Sequence, residues 1–155
     1  MSKRYTFDYQ MLSPFAITDE DVKDIARLSR ELLGPGRKLS KQDLIVCART
    51  SYVYVARVWQ ENGKGRIVGM ASVDIQHLPA SGCNGSIEDV IVAHQYRHRG
   101  IGTILIQNVV DLAREKGATE ICVVSNGKWV EGHALYGKIG LKENRKVKVF
   151  ELQLK

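Results

Sequence analysis

The sequence predicts an α/β protein in which helices flank a mixed sheet, and three stretches carry that prediction. Ile87 to Leu112 runs from an apolar strand, IEDVIV, through the turn AHQYRHRGIG into the helical repeat TILIQNVVDL. A second apolar strand follows at Thr119 to Ser125, so strand, helix and strand form a βαβ unit whose two strands should be parallel. Earlier, Tyr52 to Trp59 and Ile67 to Ile75 are rich in β-branched and aromatic residues and flank Glu61-Asn62-Gly63-Lys64-Gly65, which reads as an antiparallel hairpin.

Taken in order, Arg4 to Leu12 alternates loosely and predicts a first strand. Thr18 is a hydroxyl cap before Asp19, Glu20 and Asp21, and Val22, Ile25, Ala26, Leu28, Leu32 and Leu33 then fall at helical spacing. Gly34-Pro35-Gly36 ends that helix, and Ser40 caps a shorter one through about Thr50. Leu78 to Ser86, with Pro79, Gly82 and Gly85, reads as a loop. In the next helix Ile101, Ile104, Leu105, Val109, Leu112 and Ala113 lie on one face, widened by Ile106 and Val110, before a stop at Gly117. Trp129 to Ile139 predicts a short helix ended by Gly140. Lys146 to Leu154 predicts a closing strand, whose unpaired edge would suit pairing with a second copy as a homodimer.

A chain of 155 residues is the size of one domain, expected here over residues 1–155, and can bury roughly two thirds of its unfolded surface. With 44% hydrophobic and 26% charged residues it has the balance of a globular protein. The start, MSKRYTFDYQ, has no apolar run, which argues against a leader or a membrane partner, and three cysteines without CxxC spacing suit a cytoplasmic setting. Cys122 falls inside a strand expected to be buried, a poor setting for a nucleophile. His77 and Cys83 have no second ligand pair, so no metal is expected. The net charge of +6 is concentrated after residue 93. Without a basic base-reading helix, that asymmetry suits a small anionic ligand better than nucleic acid.

The turn before the central helix narrows the ligand. Amides in the first turn of a helix have no intrahelical partner and sit at the positive end of the macrodipole, so they attract phosphate. A dinucleotide fingerprint fails because Leu105 stands where a third glycine is needed, and no GxxxxGK[ST] loop is present. What remains is R-x-x-G-x-G from Arg97 to Gly102. That motif, together with IEDVIV, the EKG helix end, the following apolar strand and HALYGKIGL, in this order, resembles the GNAT superfamily of N-acetyltransferases, and the order of elements resembles that fold over nearly the whole chain. The IED strand and the short tail are similar to those of glucosamine-6-phosphate acetyltransferases and small bacterial members.

The resemblance implies acetyl-coenzyme A as co-substrate and an amine as acceptor. It implies that the amides of His98, Arg99, Gly100, Ile101, Gly102 and Thr103 hold the diphosphate, with charge from Arg97 and Arg99, and that backbone groups of Ile91 and Val92 meet the pantetheine arm. Tyr136, in the position of the family tyrosine, would protonate the departing thiolate; a phenol of pKa about 10 keeps its proton at neutral pH. Glu88, on a partly apolar strand, is the candidate base, and Asp89 would contact substrate or take the same role. Where many members carry an asparagine, this chain has Trp129, so Asn126 or Ser125 is expected to replace that coenzyme contact. His133 lies one turn before Tyr136. The loop Arg37-Lys38 would bind an acceptor bearing phosphate or carboxylate. Direct acetyl transfer to a primary amine, on an amino sugar phosphate, amino acid or peptide, is the leading expectation. A non-catalytic acyl-coenzyme A module and a nucleic-acid-binding domain are the alternatives.

Overall fold

The computed structural model of the chain describes residues 5–36, 38–59, 63 and 65–154. Its elements are β1 (Phe7–Met11), α1 (Asp19–Leu33), α2 (Lys41–Thr50), β2 (Tyr52–Trp59), β3 (Gly65–Leu78), β4 (Gly82–Val92), a 3₁₀ turn (His94–Tyr96), α3 (Ile101–Glu115), β5 (Glu120–Val123) and α4 (Val130–Lys138). The chain divides into two compact units, one ending at Val124 and one beginning at Ser125.

Among the described residues of the first unit five strands lie in chain order, antiparallel from β1 to β4, with β5 parallel to β4 as the βαβ pattern requires. Both early helices begin with reciprocal caps. Thr18 and Ser40 accept from the backbone N–H of Asp21 and Asp43, whose carboxylates accept from the cap amides in return. Ile25, Leu28 and Leu44 from these helices pack on Val53, Val55, Ile67, Met70 and Ile91. Against the same sheet α3 buries Ile101, Leu105, Ile106, Val109, Val110, Leu112 and Ala113. Ile104, expected on that stripe, is instead 42% exposed, because the buried arc is centred on Leu105 and Val109. Leu33, at the last turn of α1, is likewise exposed.

Two acidic residues that look solvated in the sequence are buried. Asp21 accepts from Arg57 of β2 at 2.8 Å. Asp24, with its side chain 1% exposed, accepts from the Arg66 Nε at 2.9 Å and from the Ile67 N–H at 2.9 Å, while Arg27 donates to Ile67 O at 3.0 Å. These contacts fasten α1 across β2 and β3.

Several expectations are corrected. The loop expected from Leu78 to Ser86 is a three-residue turn, because β3 runs to Leu78 and β4 starts at Gly82, whose φ of 76° supplies the left-handed residue of a tight hairpin. Gly85 is a packing glycine inside β4: a Cβ there would lie 3.2 Å from Ile121 Cγ1. The strand expected through Ser125 stops at Val123, and Cys122 is exposed because β5 is an edge strand, paired with β4 alone among the described residues. The Glu61 to Lys64 part of the first hairpin turn, apart from Gly63, lies outside the described residues, as does Arg4.

The second unit contains α4, started without a side-chain cap at Trp129 and ended at Gly140 with φ of 90°. The closing strand expected over Lys146 to Leu154 is not formed among the described residues, and Val147, Val149, Phe150, Leu152 and Leu154 are exposed. Alternating side chains supply one face of a strand, but a strand also needs a neighbour to receive its amides and carbonyls, and no ladder includes these residues.

Candidate active site

The site grows from the end of β4. Its ladder with β5 covers only Asn84 to Ile87, whereas with β3 it continues to Val92. From Glu88 to Val92 the edge on the β5 side therefore has no β5 partner. Along that edge the register against β3 jumps: Met70 faces Ile91 but Ser72 faces Glu88, so two residues of β4, Asp89 and Val90, oppose Ala71 alone. This is a β-bulge, and Asp89 sits in it at φ 49°, a conformation that aspartate tolerates better than most side chains. Ser72 Oγ donates to Glu88 O at 3.2 Å beside the bulge.

The two carboxylates at the bulge have different surroundings. Glu88 accepts from Ser86 Oγ at 2.7 Å. Asp89 keeps an open outer surface, yet the withdrawal of its carboxyl from water, followed by the nearby Glu88 and Asp74 carboxylates, holds it above the ordinary 3.8. A raised carboxyl is thus found at Asp89, the residue that the bulge sets at positive φ.

Beyond Val92 the chain crosses the 3₁₀ turn and enters the loop. Ala93 N–H returns to Val68 O at 2.8 Å, and Ile91 O lies 3.2 Å from the position of a Cβ on Gly69, so both residues address β3. Alternation gives the other edge to the backbone of Val92, not Ile91. The Val92 carbonyl accepts from Arg97 Nε at 2.9 Å, so the Arg97 guanidinium is turned back onto the strand end. His98 and Gly100 both have positive φ, 58° and 78°, and such turns point successive amides toward one side as an anion-binding concavity. Ile104 N–H reaches Gly100 O at 3.1 Å and is the first intrahelical donor, leaving the amides of Ile101, Gly102 and Thr103 at the positive end of α3. A Cβ at Gly100 would meet nothing within 4 Å, so what glycine supplies there is its left-handed backbone.

One contributor escaped the sequence reading, although a lone glycine inside a strand is a signal of close approach. Gly69 of β3 lies opposite Val92, and a Cβ there would come within 3.1 Å of Leu105 Cδ1, 3.2 Å of Ile91 O and 3.3 Å of Ile101 Cγ2. Its bareness lets Ile101 and Leu105 at the start of α3 settle on β3 beside the end of β4. Gly69→Ala is expected to destabilise the fold by about 1–3 kcal/mol, since the Ile91 carbonyl cannot yield as a side chain could. Urea denaturation checks this, and an unchanged midpoint would contradict it.

Of the remaining expected residues, Arg37 lies outside the described residues. Lys38 is exposed next to Leu39, which packs on the core and anchors that loop. In the second unit, Asn126 Oδ1 accepts from Lys128 N–H at 3.0 Å, and Ser125 Oγ lies 3.2 Å from His133 Nε2. Tyr136 is half-buried on α4, and a Cβ on Gly132 would lie 3.8 Å from its ring, ordinary contact distance. Among the described residues no three His, Cys, Asp or Glu side chains gather as metal ligands, and no helix is long and apolar enough to cross a membrane.

The sequence pattern of the Acetyltransferase (GNAT) family matches residues 20–141. The chain is 34% identical over 94 residues to a glucosamine 6-phosphate N-acetyltransferase of Trypanosoma brucei brucei, a stretch covering 59% of this chain and 62% of that protein. The curated relatives it matches are spanned over 39–62% of their own length. Among solved structures, an acetyltransferase of Trypanosoma brucei superposes with a TM-score of 0.72 at 27% identity, covering 95% of this chain and 100% of that one. An acetyltransferase of Clostridium acetobutylicum solved with acetyl-CoA has the same fold, with a TM-score of 0.69 at 18% identity over 94% and 96% of the two chains.

Proposed function

Since the chain belongs to the acetyltransferase (GNAT) family, we propose that it transfers an acetyl group from acetyl-coenzyme A to the primary amine of a small anionic acceptor, of the amino sugar phosphate class. The observation that carries this reading is the sequel to β4: an edge without a β5 partner from Glu88 to Val92, leading into amides gathered at the start of α3. Those amides and the helix dipole suit the coenzyme's diphosphate. The open edge suits its pantetheine arm, whose amides would pair as an added strand does, with Val92 N–H as the donor.

The acceptor amine must lose a proton before it attacks. Asp89, more basic than an ordinary carboxylate and set in the bulge beside the open edge, would take that proton, with Glu88 orienting the acceptor. The amine nitrogen then forms a bond to the thioester carbon, the carbon–sulfur bond breaks as the tetrahedral oxyanion collapses, and the nitrogen gives up its extra proton to solvent, from which the acid that protonates the thiolate is reprotonated. Tyr136 has the family motif position of the acid that protonates the thiolate. Lys38 and Arg37 would meet the acceptor's phosphate. The amino sugar phosphate class is supported by the name of the trypanosome relative and by the positive charge of this loop.

Coenzyme A release is the test, followed with glucosamine 6-phosphate, glucosamine, amino acids, polyamines and peptides as acceptors. Turnover should favour the phosphorylated amino sugar over glucosamine. Activity confined to peptides would replace the acceptor class, and coenzyme binding without turnover on any amine would favour a binding module.

Asp89→Asn has two expected effects of opposite benefit. Because the folded-state pKa of Asp89 lies above its unfolded value, ionisation disfavours the fold, and stability falls as pH rises from about 3.8 through the folded value. Asparagine tolerates the same positive φ and carries no charge, so the variant should melt higher than wild type at neutral pH, with the gain vanishing below the ordinary carboxylate range. Its turnover should fall by at least about tenfold through loss of the base. A lower melting temperature at neutral pH, or full activity, would contradict the assignment.

A further inference from the structure

The first strand touches the diphosphate loop from the far side of the sheet. Tyr5, just before β1, has its ring centroid 6.1 Å from that of Phe7 and 5.5 Å from that of Tyr96, the last residue of the 3₁₀ turn. Phe7 meets Tyr96 edge-on at 6.2 Å and 89°. Tyr96 is itself packed against the buried core. Over the Tyr5 ring lies the Arg99 guanidinium, 5.1 Å from the centroid. β1 is separated from β4 by β2 and β3, so this cluster brings together parts of the unit distant both in sequence and in sheet order.

The arrangement does something specific to Arg99. Stacking on an aromatic ring uses the face of a guanidinium, while its N–H donors lie in the plane and point outward from the edge. A long side chain that would otherwise sample many rotamers is thereby held over Tyr5, in the residue next to Gly100. The ring holding it is fixed in turn by Phe7 and Tyr96. Arg97, by contrast, has its guanidinium turned back to the Val92 carbonyl. The two arginines of the loop therefore have different jobs: Arg97 braces the strand end, and Arg99 is presented outward.

We propose that Tyr5 is a positioning residue for the coenzyme, its ring braced by Phe7 and Tyr96 so that Arg99 is held ready for a phosphate of the bound coenzyme. This rests on the acetyl-coenzyme A reading given above and adds to it a residue from outside the loop. A pre-set donor loses less freedom when the phosphate arrives, so removing the ring should weaken coenzyme binding without touching the chemical step.

The test is calorimetric titration of coenzyme A into wild type, Tyr5→Phe, Tyr5→Leu, Arg99→Ala, Arg99→Met and the Tyr5→Leu/Arg99→Ala double variant, with acetyl-CoA kinetics alongside. Tyr5→Phe should bind as wild type does, because it keeps the ring. Tyr5→Leu should bind about threefold to fivefold more weakly, with KM for acetyl-CoA raised to match and kcat at saturation retained. The double variant should be no weaker than Arg99→Ala alone, since the ring acts only through the guanidinium. Arg99→Met keeps apolar contact with Tyr5 but no charge, and should bind as poorly as Arg99→Ala even if Tyr5→Leu fails to fold. Additive losses in the double variant, or wild-type affinity in Tyr5→Leu or Arg99→Met, would overturn the assignment while leaving the acetyltransferase reading intact. A wild-type chain that takes up no coenzyme would overturn both.

Discussion

Tyr136→Phe is expected to lower kcat by about 10²-fold or more while leaving KM for acetyl-CoA near its wild-type value, the signature of an interaction made only in the transition state. The substitution deletes one hydroxyl and keeps the ring, so the contact of that ring with Gly132 one turn earlier in α4 should survive. Protonating the thiolate as the carbon–sulfur bond breaks keeps it from adding back to the new amide, and the phenol is the donor proposed for that proton. The pH profile supplies a second check. Wild-type kcat should decline at high pH as the phenol loses the proton it must donate, and the phenylalanine variant should lose that decline. A variant within twofold of wild type would remove Tyr136 from the mechanism and return it to the role of a packing residue.

Asp24→Ala carries a large expected loss of stability, about 2–4 kcal/mol, because it leaves the buried Ile67 amide without its acceptor and removes the carboxylate that the half-exposed Arg66 guanidinium grips. Asp24→Asn should lose less, since an amide oxygen can still accept from Ile67 N–H. The consequence extends beyond stability. The same helix supplies Glu31, which accepts from His94 N–H at 3.1 Å where β4 turns toward the loop, so loosening α1 should also weaken coenzyme binding. Urea denaturation of the three proteins would decide the matter, and equal midpoints would show that the ion pairs only break even. Its neighbour Asp21 sets an acid limit of definite sign. Burial raises the Asp21 carboxyl, but hydrogen bonds from Arg57 and Thr18 outweigh it and hold the group below the ordinary 3.8. Its contribution is therefore present at neutral pH and disappears as pH falls through that lowered value, the reverse of the dependence expected from Asp89.

The features legible in the sequence are those governed by neighbours along the chain. Thr18 and Ser40 begin α1 and α2 as expected because a cap hydroxyl needs only the amide three residues on. Gly117 and Gly140 end their helices because a left-handed residue suffices. The limits of β2 and the position of the glycine loop before α3 follow the same logic. Where a segment's state depends on a distant partner, pattern alone misled. Lys146 to Leu154 alternates like a strand but belongs to no ladder, and Leu78 to Ser86 looks broken yet lies mostly in a long hairpin.

The candidate site divides along the same line. Its loop was readable, since two glycines and a helix start are local, and so was the family, since five segments recur in order. The carboxylate that becomes basic was not, because the Asp89 bulge is defined by a count against β3 that β4 by itself does not contain. Nor were the bare spot at Gly69 and the Tyr5–Arg99 contact, each made by elements that meet only once the sheet is assembled. Local hydrogen bonding and backbone freedom are properties of a few adjacent residues, so the chain alone determined where helices start and which turn attracts an anion. Burial, register and through-space charge depend on which surfaces close against one another, so only the tertiary structure decided which carboxylate is raised, which aspartates are buried and which arginine is offered outward.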